Sequence, residues 1–596
     1  MGLGVSLNTA TGGLQAMEAA LDTISRNVAN ASTDGYVTET PNTYSDVVNG
    51  RNIGVRVGHN SLALSPALQA ALYTQNGKVS NLQALYNSLS NISALQGTTG
   101  ANSDGNSDVM GSLSNYLGNL KTSLVKVTNA PTDGSTQYDV ISNAQTLVRN
   151  VHVLTSAYQS QRQNAQDAIV SSIPGINTDL TTIGSISKKI MVLQASGGDT
   201  SDLENQRLGL MNDLSNQLGV SFTEKPNGDM VVTTEDGTLL PTRPDQIGKE
   251  NDNRFLPSSD WPLSTKKATI APNMYYSNDG KNGGIPGIML DGEDITQHLT
   301  GGPIGANITL RDQTYPTMQA QMDSFASTLI NRFDSAGLPL FTPPARAAVD
   351  SATNTVKLDS NDNVIGTDGK PLIVDNVLDS SGNPLPPSPN GGGYYVKKIG
   401  SQFVAVVNPG DTTGIGNISF DTSSSANPPG KIKGASIVRN ITDLSSLLSV
   451  NSDYVKSPGL LTTGADGKVG DLTLINSVLS VTFSSGIANV SGGLAAPTSG
   501  LGPDGSFSTG YPGTESLDQL STDMTSTQAR VVNNAKSRLS TETGIQTNLT
   551  TQVNSVSGVN VNNQMSMIVT LQNSYAANAK VVSAVRDMFS ALLNAV

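Results

Sequence analysis

The chain has 596 residues, a formal net charge of −13 and no cysteine, and only 14% of its residues are charged. This acidic balance, with a pI near 4.7, argues against nucleic acid and anionic membrane surfaces as partners, because both call for a basic footprint. The absence of cysteine excludes a disulfide scaffold and a thiolate metal site, and the length sets an expectation of about four domains.

At the N-terminal end, Leu7, Ala10, Leu14, Met17, Leu21, Ile24, Val28 and Ala31 follow one another by alternating threes and fours. That spacing predicts a helix whose apolar stripe must be hidden against another helix. The first basic residue is Arg26, so no positive n-region precedes an apolar stretch of the kind a cleavable secretory signal needs. No run approaches the ~20 apolar residues of a membrane span. The helix is expected to stop in a turn carried by Asn27, Asn30, Thr33, Gly35 and Tyr36. Asn, Ser, Thr and Asp compete there for backbone hydrogen bonds, and Gly35 permits a positive φ.

After a Gly- and Asn-rich connection around 49–60, helical periodicity returns. Leu68, Leu72, Val79, Leu82, Tyr86, Leu89 and Ile92 share one face, and the polar tract 97–108 ends that helix. A second helix runs through Met110, Leu113, Leu117, Leu120, Leu124 and Val127. A third, from about Tyr138 to Ser172, is expected to close at Pro174-Gly175, a fourth to run from Ile176 to Leu193, and a fifth from Leu203 to Leu218. Successive amphipathic helices with short connections read as a long antiparallel bundle.

From Ser221 the period changes. Met230 to Leu240 forms two β-rich runs around Asp236-Gly237, a hairpin signal, and 226–298 is read as a small β insertion. A helix with Tyr315, Met318, Met322, Phe325, Leu329 and Phe333 in heptad step returns to the bundle. Residues 342–513, with runs such as Tyr395 to Ile399, Phe403 to Val407 and Val481-Thr482-Phe483 and loops at 386–393 and 491–513, are read as an outer all-β domain that a short linker could replace. Ser516 to Ser555 is helical again.

The last stretch repeats the pattern of the first. Ile568, Leu571, Tyr575, Asn578, Val582, Val585, Phe589, Leu592 and Val596 form a second stripe in steps of three and four, apolar except at Asn578. A polar residue at such a position commonly fixes register. The two ends are therefore expected to pair, 1–38 with 558–596. Residues 39–225, completed by 299–341 and 514–557, carry the bundle. The expected fold class is multidomain: an α-helical coiled-coil and bundle shaft formed by both chain ends, with inserted all-β domains.

Two segments carry a resemblance. Residues 14–36, LQAMEAALDTISRNVANASTDGY, are similar to the opening signature of the bacterial flagellar axial proteins, and SGVNVNNQMSMIVTLQNSYAANAKVVSAV, from Ser557, resembles their closing signature. Thr38 stands where that family commonly has Arg. Asp202-Leu-Glu-Asn-Gln-Arg207 with the helix that follows it, and Gly301-Gly302-Pro-Ile-Gly305 leading as a turn into Arg311-Asp312, resemble inner pieces of the hook-associated branch of the family. The resemblance implies a structural subunit between flagellar hook and filament. It would be exported through the flagellar type III apparatus with a chaperone, be extracellular, and self-assemble as a ring or tube through its terminal helices. Its partners would be the hook subunit below and a second junction protein or the filament side above.

No catalytic pattern competes with that reading. His59, His152 and His298 are far apart and, without Cys, make no recognisable ligand set. Gly369-Lys370 and Gly467-Lys468 lack the flanking residues of a phosphate loop. Asp359 to Asn363 begins like a calcium loop, but Val364 replaces the needed Gly and Lys370 the bidentate Glu. No cofactor is expected. A hook or distal-rod subunit is the alternative, and an enzyme or adhesin carried on such a body the third.

Overall fold

The computed structural model describes residues 3–33, 35–48, 51–97, 111–249, 259–278, 283–341, 347–350, 352–366, 371–374, 394–422, 431–432, 441–464, 467–484 and 494–594. The expected positions Met110, Lys370 and Val596, most of the tract 97–108, the loop 386–393 and the start of the loop at 491 lie outside these.

Helices α1 (Leu3–Ala29) and α12 (Val561–Asn594), from opposite ends of the chain, pack along each other. Four short strands follow α1: β1 (Glu39–Thr40), β2 (Thr43–Val48), β3 (Arg51–Val57) and β4 (Ser61–Leu62). Strands β1 and β4 pair, and β2 and β3 form a bulged antiparallel hairpin that also lies on α1. The approach is close: a Cβ on Gly12 of α1 would stand 2.8 Å from the Val55 carbonyl oxygen. This hairpin stands where a Gly- and Asn-rich connection is expected: in the sequence, β-branched residues flank Asn49-Gly50, the pairing that makes Asn-Gly a hairpin signal.

The body contains α2 (Pro66–Gln96), α3 (Leu113–Asn129), α4 (Gly134–Ser196), α5 (Ser201–Gln217), α6 (Gly302–Thr309), α7 (Tyr315–Ser335) and, after the outer segments, α11 (Leu517–Ser557), which runs back along α2. Helix α4 corrects the expectation of two helices parted at Pro174: it is one helix of 63 residues with Pro174 inside it, about 95 Å long at 1.5 Å per residue. An interior proline costs roughly 3 kcal/mol. Here Ile169, Ile173, Ile176 and Leu180 are buried on both sides of it, and each such side chain contributes roughly 1.5–3 kcal/mol, so packing outweighs the break. The same helix serves two cores. Val140, Leu147 and Leu154 join Leu117, Tyr315, Phe325, Phe333 and Leu517 in one. Ile169 to Ile183 join Leu214, Val232, Leu263 and Ile304 in the other.

The second core is covered by two small antiparallel sheets. One is β5 (Val220–Glu224), β6 (Met230–Thr234) and β7 (Leu239–Leu240); the other orders β10 (Glu293–Asp294), β9 (Met289–Leu290) and β8 (Leu263–Ser264). The expected hairpin is present, with Gly237 at φ +91° and Thr234 N–H donating to the Thr238 carbonyl at 2.9 Å. The Gly-rich stretch at 301–305 is not a turn ahead of a helix but the start of α6. Gly301 is its N-cap, and a Cβ there would stand 2.4 Å from the Gly219 Cα, so two backbones cross with no side chain between them.

The outer region is not all-β. A four-stranded antiparallel sheet, Ile373–Val374, Tyr394–Ile399, Gln402–Val406 and Gly416–Ile418, has its own small core around Val364, Val396 and Ala405. Beyond it come α8 (Leu444–Leu447), α9 (Ser452–Lys456) and α10 (Thr473–Thr482). Leu444, Leu448, Leu461, Ile475 and Val478 belong to the first core of the helical body. Helix α10 reads as strand because it is rich in Thr, Ile and Val. Tertiary packing decides otherwise, burying Ile475, Val478 and Thr482 on one face. Asp323 of α7 fastens α8: its carboxylate accepts the backbone N–H groups of Asp443 (2.8 Å) and Ser445 (2.9 Å) and the Ser445 hydroxyl (2.5 Å).

Two outcomes follow from this packing. Replacing 347–432 with a Gly/Ser linker removes only the small outer core, and helical content and the melting profile of the body should hold, because loop closure costs change slowly with length. Extending the deletion to 510 strips apolar side chains from the main core and should give an aggregating or molten chain by circular dichroism and size exclusion. The second concerns Asp323. Burial pushes its carboxyl up to about 7, against the hydrogen bonds from Ser445 and Asp443. A folded pKa above the unfolded value of about 3.9 means that the fold binds the proton more tightly. The contribution of Asp323 is thus full below pH ~4 and declines toward pH ~7, by at most about 1.4 kcal/mol per pH unit. The stability advantage of the native chain over Asp323→Asn should shrink across that window in parallel denaturant titrations; a constant gap would rule the assignment out.

Candidate assembly site at the joined chain ends

The turn after α1 is built as a clamp. Asn27 is fully buried; its Oδ1 accepts the Glu39 N–H (3.0 Å) and its Nδ2 donates to the Glu39 carbonyl (2.8 Å). One side-chain amide thus pairs with one backbone residue as a neighbouring strand would. The Tyr36 hydroxyl donates to Asn27 Oδ1 at 3.1 Å, and Asn27 Nδ2 also lies 3.4 Å from Gln564 Oε1 of α12. From the other side Asn205 of α5 repeats the arrangement on Val37, accepting its N–H (2.9 Å) and donating to its carbonyl (3.0 Å). The Thr38 N–H donates to the Ser557 carbonyl at 2.8 Å. The segment 37–39 therefore ties α1, α5, the end of α11 and α12 to one another.

Within this knot the Glu39 side chain is buried and meets Arg26 Nη2 at 3.1 Å, Asn205 Nδ2 at 3.2 Å and Asn60 Nδ2 at 3.4 Å. Arg26 also pairs with Asp22 and, at 3.3 Å, with Asp202. Burial pushes the Glu39 carboxyl above the usual carboxylate range, against the hydrogen bonds from Arg26 and Asn205. Burial, then the Glu39 charge, pushes the Tyr36 phenol up, so it stays a neutral donor. The other turn residues close the loop locally: Thr33 N–H donates to the Asn30 carbonyl (2.9 Å), Tyr36 N–H to the Thr33 carbonyl (3.2 Å), and Gly35 has φ +74°.

The sequence-derived stripes lie as follows. On α1, Ile24 is buried, and Leu7, Leu14, Met17, Leu21 and Val28 are half-buried. On α12, Val585 is buried; Ile568, Leu571, Asn578, Val582 and Phe589 are half-buried; Tyr575 and Leu592 are exposed at 37% and 57%. Ser574 takes the covered step beside Tyr575, although the Tyr575 hydroxyl still reaches Glu18 Oε1 at 3.4 Å. Asn578 faces α1: its Nδ2 donates to Met17 Sδ at 3.5 Å and lies over Gly13. Glu39, Asn205 and Gln564 were not singled out from sequence. Asn205 lies inside the quoted 202–207 piece, but nothing local says which backbone it holds.

The ends and the middle of the chain match different family models. Residues 7–36 match the flagella basal body rod protein model, and 551–595 the C-terminal model of the flagellar basal body rod FlgEFG proteins. Residues 105–337 match the helical domain of flagellar hook-associated protein FlgK. Flagellar hook-associated protein 1 of Salmonella typhimurium strain LT2 is 24% identical over 99% of both chains, and that of Escherichia coli K12 is 23% identical over the same shares. Along its full length the chain is thus similar to flagellar hook-associated protein 1. A Bacillus subtilis protein of the same name is 22% identical over 39% of this chain. The solved flagellar hook junction protein FlgK from Burkholderia pseudomallei aligns with 82% of the chain and 99% of its own, at 16% identity and a TM-score of 0.45.

Other sequence candidates take structural places. His152 Nε2 lies 2.8 Å from the Leu448 carbonyl oxygen and His298 Nδ1 2.5 Å from Asp236. Asp359 accepts the N–H groups of Asn361 and Asn363, each at 2.8 Å, at a hairpin tip. Among the described residues no group of three or more His, Asp or Glu is placed to hold a metal, and no helix is long and apolar enough to cross a membrane.

Removing the Asn27 amide leaves a buried N–H and a buried C=O unpaired, at a cost of about 1–3 kcal/mol each. Asn27→Ala should therefore open 30–38 to limited proteolysis. Asn27→Asp should do so more, since a carboxylate cannot donate to the Glu39 carbonyl and sets a second negative charge beside Glu39. Unchanged cleavage in both variants would show that the clamp does not hold the ends.

Proposed function

We propose that this chain is a structural, non-catalytic subunit of the bacterial flagellum, forming the junction between hook and filament and assembling through its terminal helices. The observation that carries this is the one-sided burial of α12. Its stripe is only half-covered by α1, while Val569, Val581, Met588 and Leu593 are 46–76% exposed. Buried Leu or Val side chains contribute roughly 1.5–3 kcal/mol each, so neighbouring copies packed on that helix supply what one partner cannot. In this reading 1–38 and 558–596 form the assembling end. Residues 39–225, 299–341 and 514–557 form the body, with 226–298 a small lobe on it and the sheet region after 346 pointing outward. Asn578, seated over Gly13, fixes the register of the pair. The hook subunit lies on one side and a second junction protein or the filament on the other. The chain leaves the cell through the flagellar export apparatus with a chaperone and works outside it.

A hook or distal-rod subunit is the second reading, favoured by the rod-protein models at the two ends. The helical-domain match at 105–337 favours the junction. Labelled electron microscopy decides between them: label confined to hook-filament boundaries is expected, and label along hook or rod would overturn the assignment. Val569→Glu and Met588→Glu should leave the melting temperature of the monomer within a degree or two, as surface changes usually cost less than about 0.5 kcal/mol, yet stop incorporation into filaments. Normal motility with both changes would exclude α12 as the contact surface.

A further inference from the structure

Near the clamp, between α2, α5 and β5, lies a cavity of about 210 Å³. Leu62, Leu64, Tyr73, Met211 and Phe222 give it an apolar wall, and the Tyr73 and Phe222 rings meet edge to face at 5.1 Å. The volume sets the size of what fits. An apolar cavity of about 150 Å³ takes up a benzene ring, so this one has room for one ring or branched alkyl group and a tail of about two or three further atoms. It lies below the roughly 300 Å³ at which drug-sized ligand pockets begin.

Three charged side chains, Glu204, Arg207 and Glu224, also line the cavity, and they set the charge of what fits. Arg207 is buried and fully engaged: its Nη1 donates to the Gly228 carbonyl (2.8 Å) and its Nη2 to Glu224 Oε1 (2.7 Å). Glu224 is thereby neutralised. Glu204 is half-buried. One of its oxygens accepts the Thr200 hydroxyl at 2.6 Å, and among the described residues no lysine, arginine or histidine pairs with it. One carboxylate charge is therefore left over in an apolar wall, where a lower dielectric than that of water strengthens its pull on a cation. We propose that this cavity binds a small monocation, a single aromatic or branched alkyl group bearing one ammonium, with the apolar group against Tyr73 and Phe222 and the ammonium on Glu204. A free arylalkylamine and the N-terminal residue of another polypeptide share this chemistry. Ala70 and Ser221, exposed members of the lining, mark the mouth.

The full-length chain is titrated at neutral pH with phenethylamine by saturation-transfer NMR and calorimetry, with phenethyl alcohol as the neutral analogue and phenylacetate as the anion. Saturable millimolar binding of the amine is expected, with the alcohol about tenfold weaker, the loss of one charged contact, and the anion weaker still. Glu204→Gln keeps an oxygen for the Thr200 hydroxyl and removes only the charge. It should bring the amine down to the level of the alcohol and leave the alcohol unchanged. Ala70→Trp, at the exposed mouth, should abolish binding of both with melting unchanged. Tighter binding of Phe-Ala-Ala-amide than of the amine assigns the site to a polypeptide end; its exclusion while the amine binds assigns it to a free ligand. No binding, equal binding of amine and alcohol, or amine binding unaffected by Glu204→Gln or by Ala70→Trp overturns the proposal.

Discussion

The architecture depends on a short extended segment held by two side-chain amides. Residues 37–39 belong to no long strand, yet Asn27 pairs with the backbone of Glu39 and Asn205 with that of Val37. Backbone groups buried without partners are costly. The amides remove that cost and also fix where α1 leaves the body. Four elements from remote parts of the chain meet there, and the buried Glu39 carboxylate is tolerable because Arg26, Asn60 and Asn205 are directed at it. A buried charge of this kind adds little stability of its own; its effect is to admit a single arrangement of the ends.

Much of the shaft is legible in the sequence because helical periodicity is a local signal. The stripes Leu7 to Val28 and Ile568 to Phe589 can be counted without knowing the fold; in the structure Ile24 and Val585 are buried and most other steps half-covered, while Tyr575 is exposed and Ala16, Ala20, Thr23 and Asn27, off the stripe, are buried on α1. Pro174 misleads for the converse reason. Its penalty is local, whereas the burial that overrides it comes from α5 and the sheets beyond. Helix α10 misleads in the same way, its Thr, Ile and Val content speaking for a strand and its packing against the body for a helix.

The clamp was least legible. Asn27 reads as a helix-ending residue, and its partners stand 12 and 537 positions away. Asn205 belongs to a piece that can be matched to a family without disclosing that it grips Val37, 168 residues earlier. Polar residues announce neither burial nor partner from sequence, since the same Asn serves equally at a wet turn. Only the topology, which brings both ends beside α5, turns these two amides into one device.

The unbroken course of α4 has a mechanical meaning. Just past its C-terminus, Asp199 accepts the Asn60 N–H at 3.3 Å, beside the joined ends. Near the other end, Gln137 donates to the Thr462 hydroxyl at 3.0 Å, where the outer segments attach. Had the chain parted at Pro174, a joint would lie between these points, and a sideways push at one would be lost as rotation. A single helix clad on both halves by packed core behaves as a beam, so bending applied at the outer segments reaches the terminal helices as displacement.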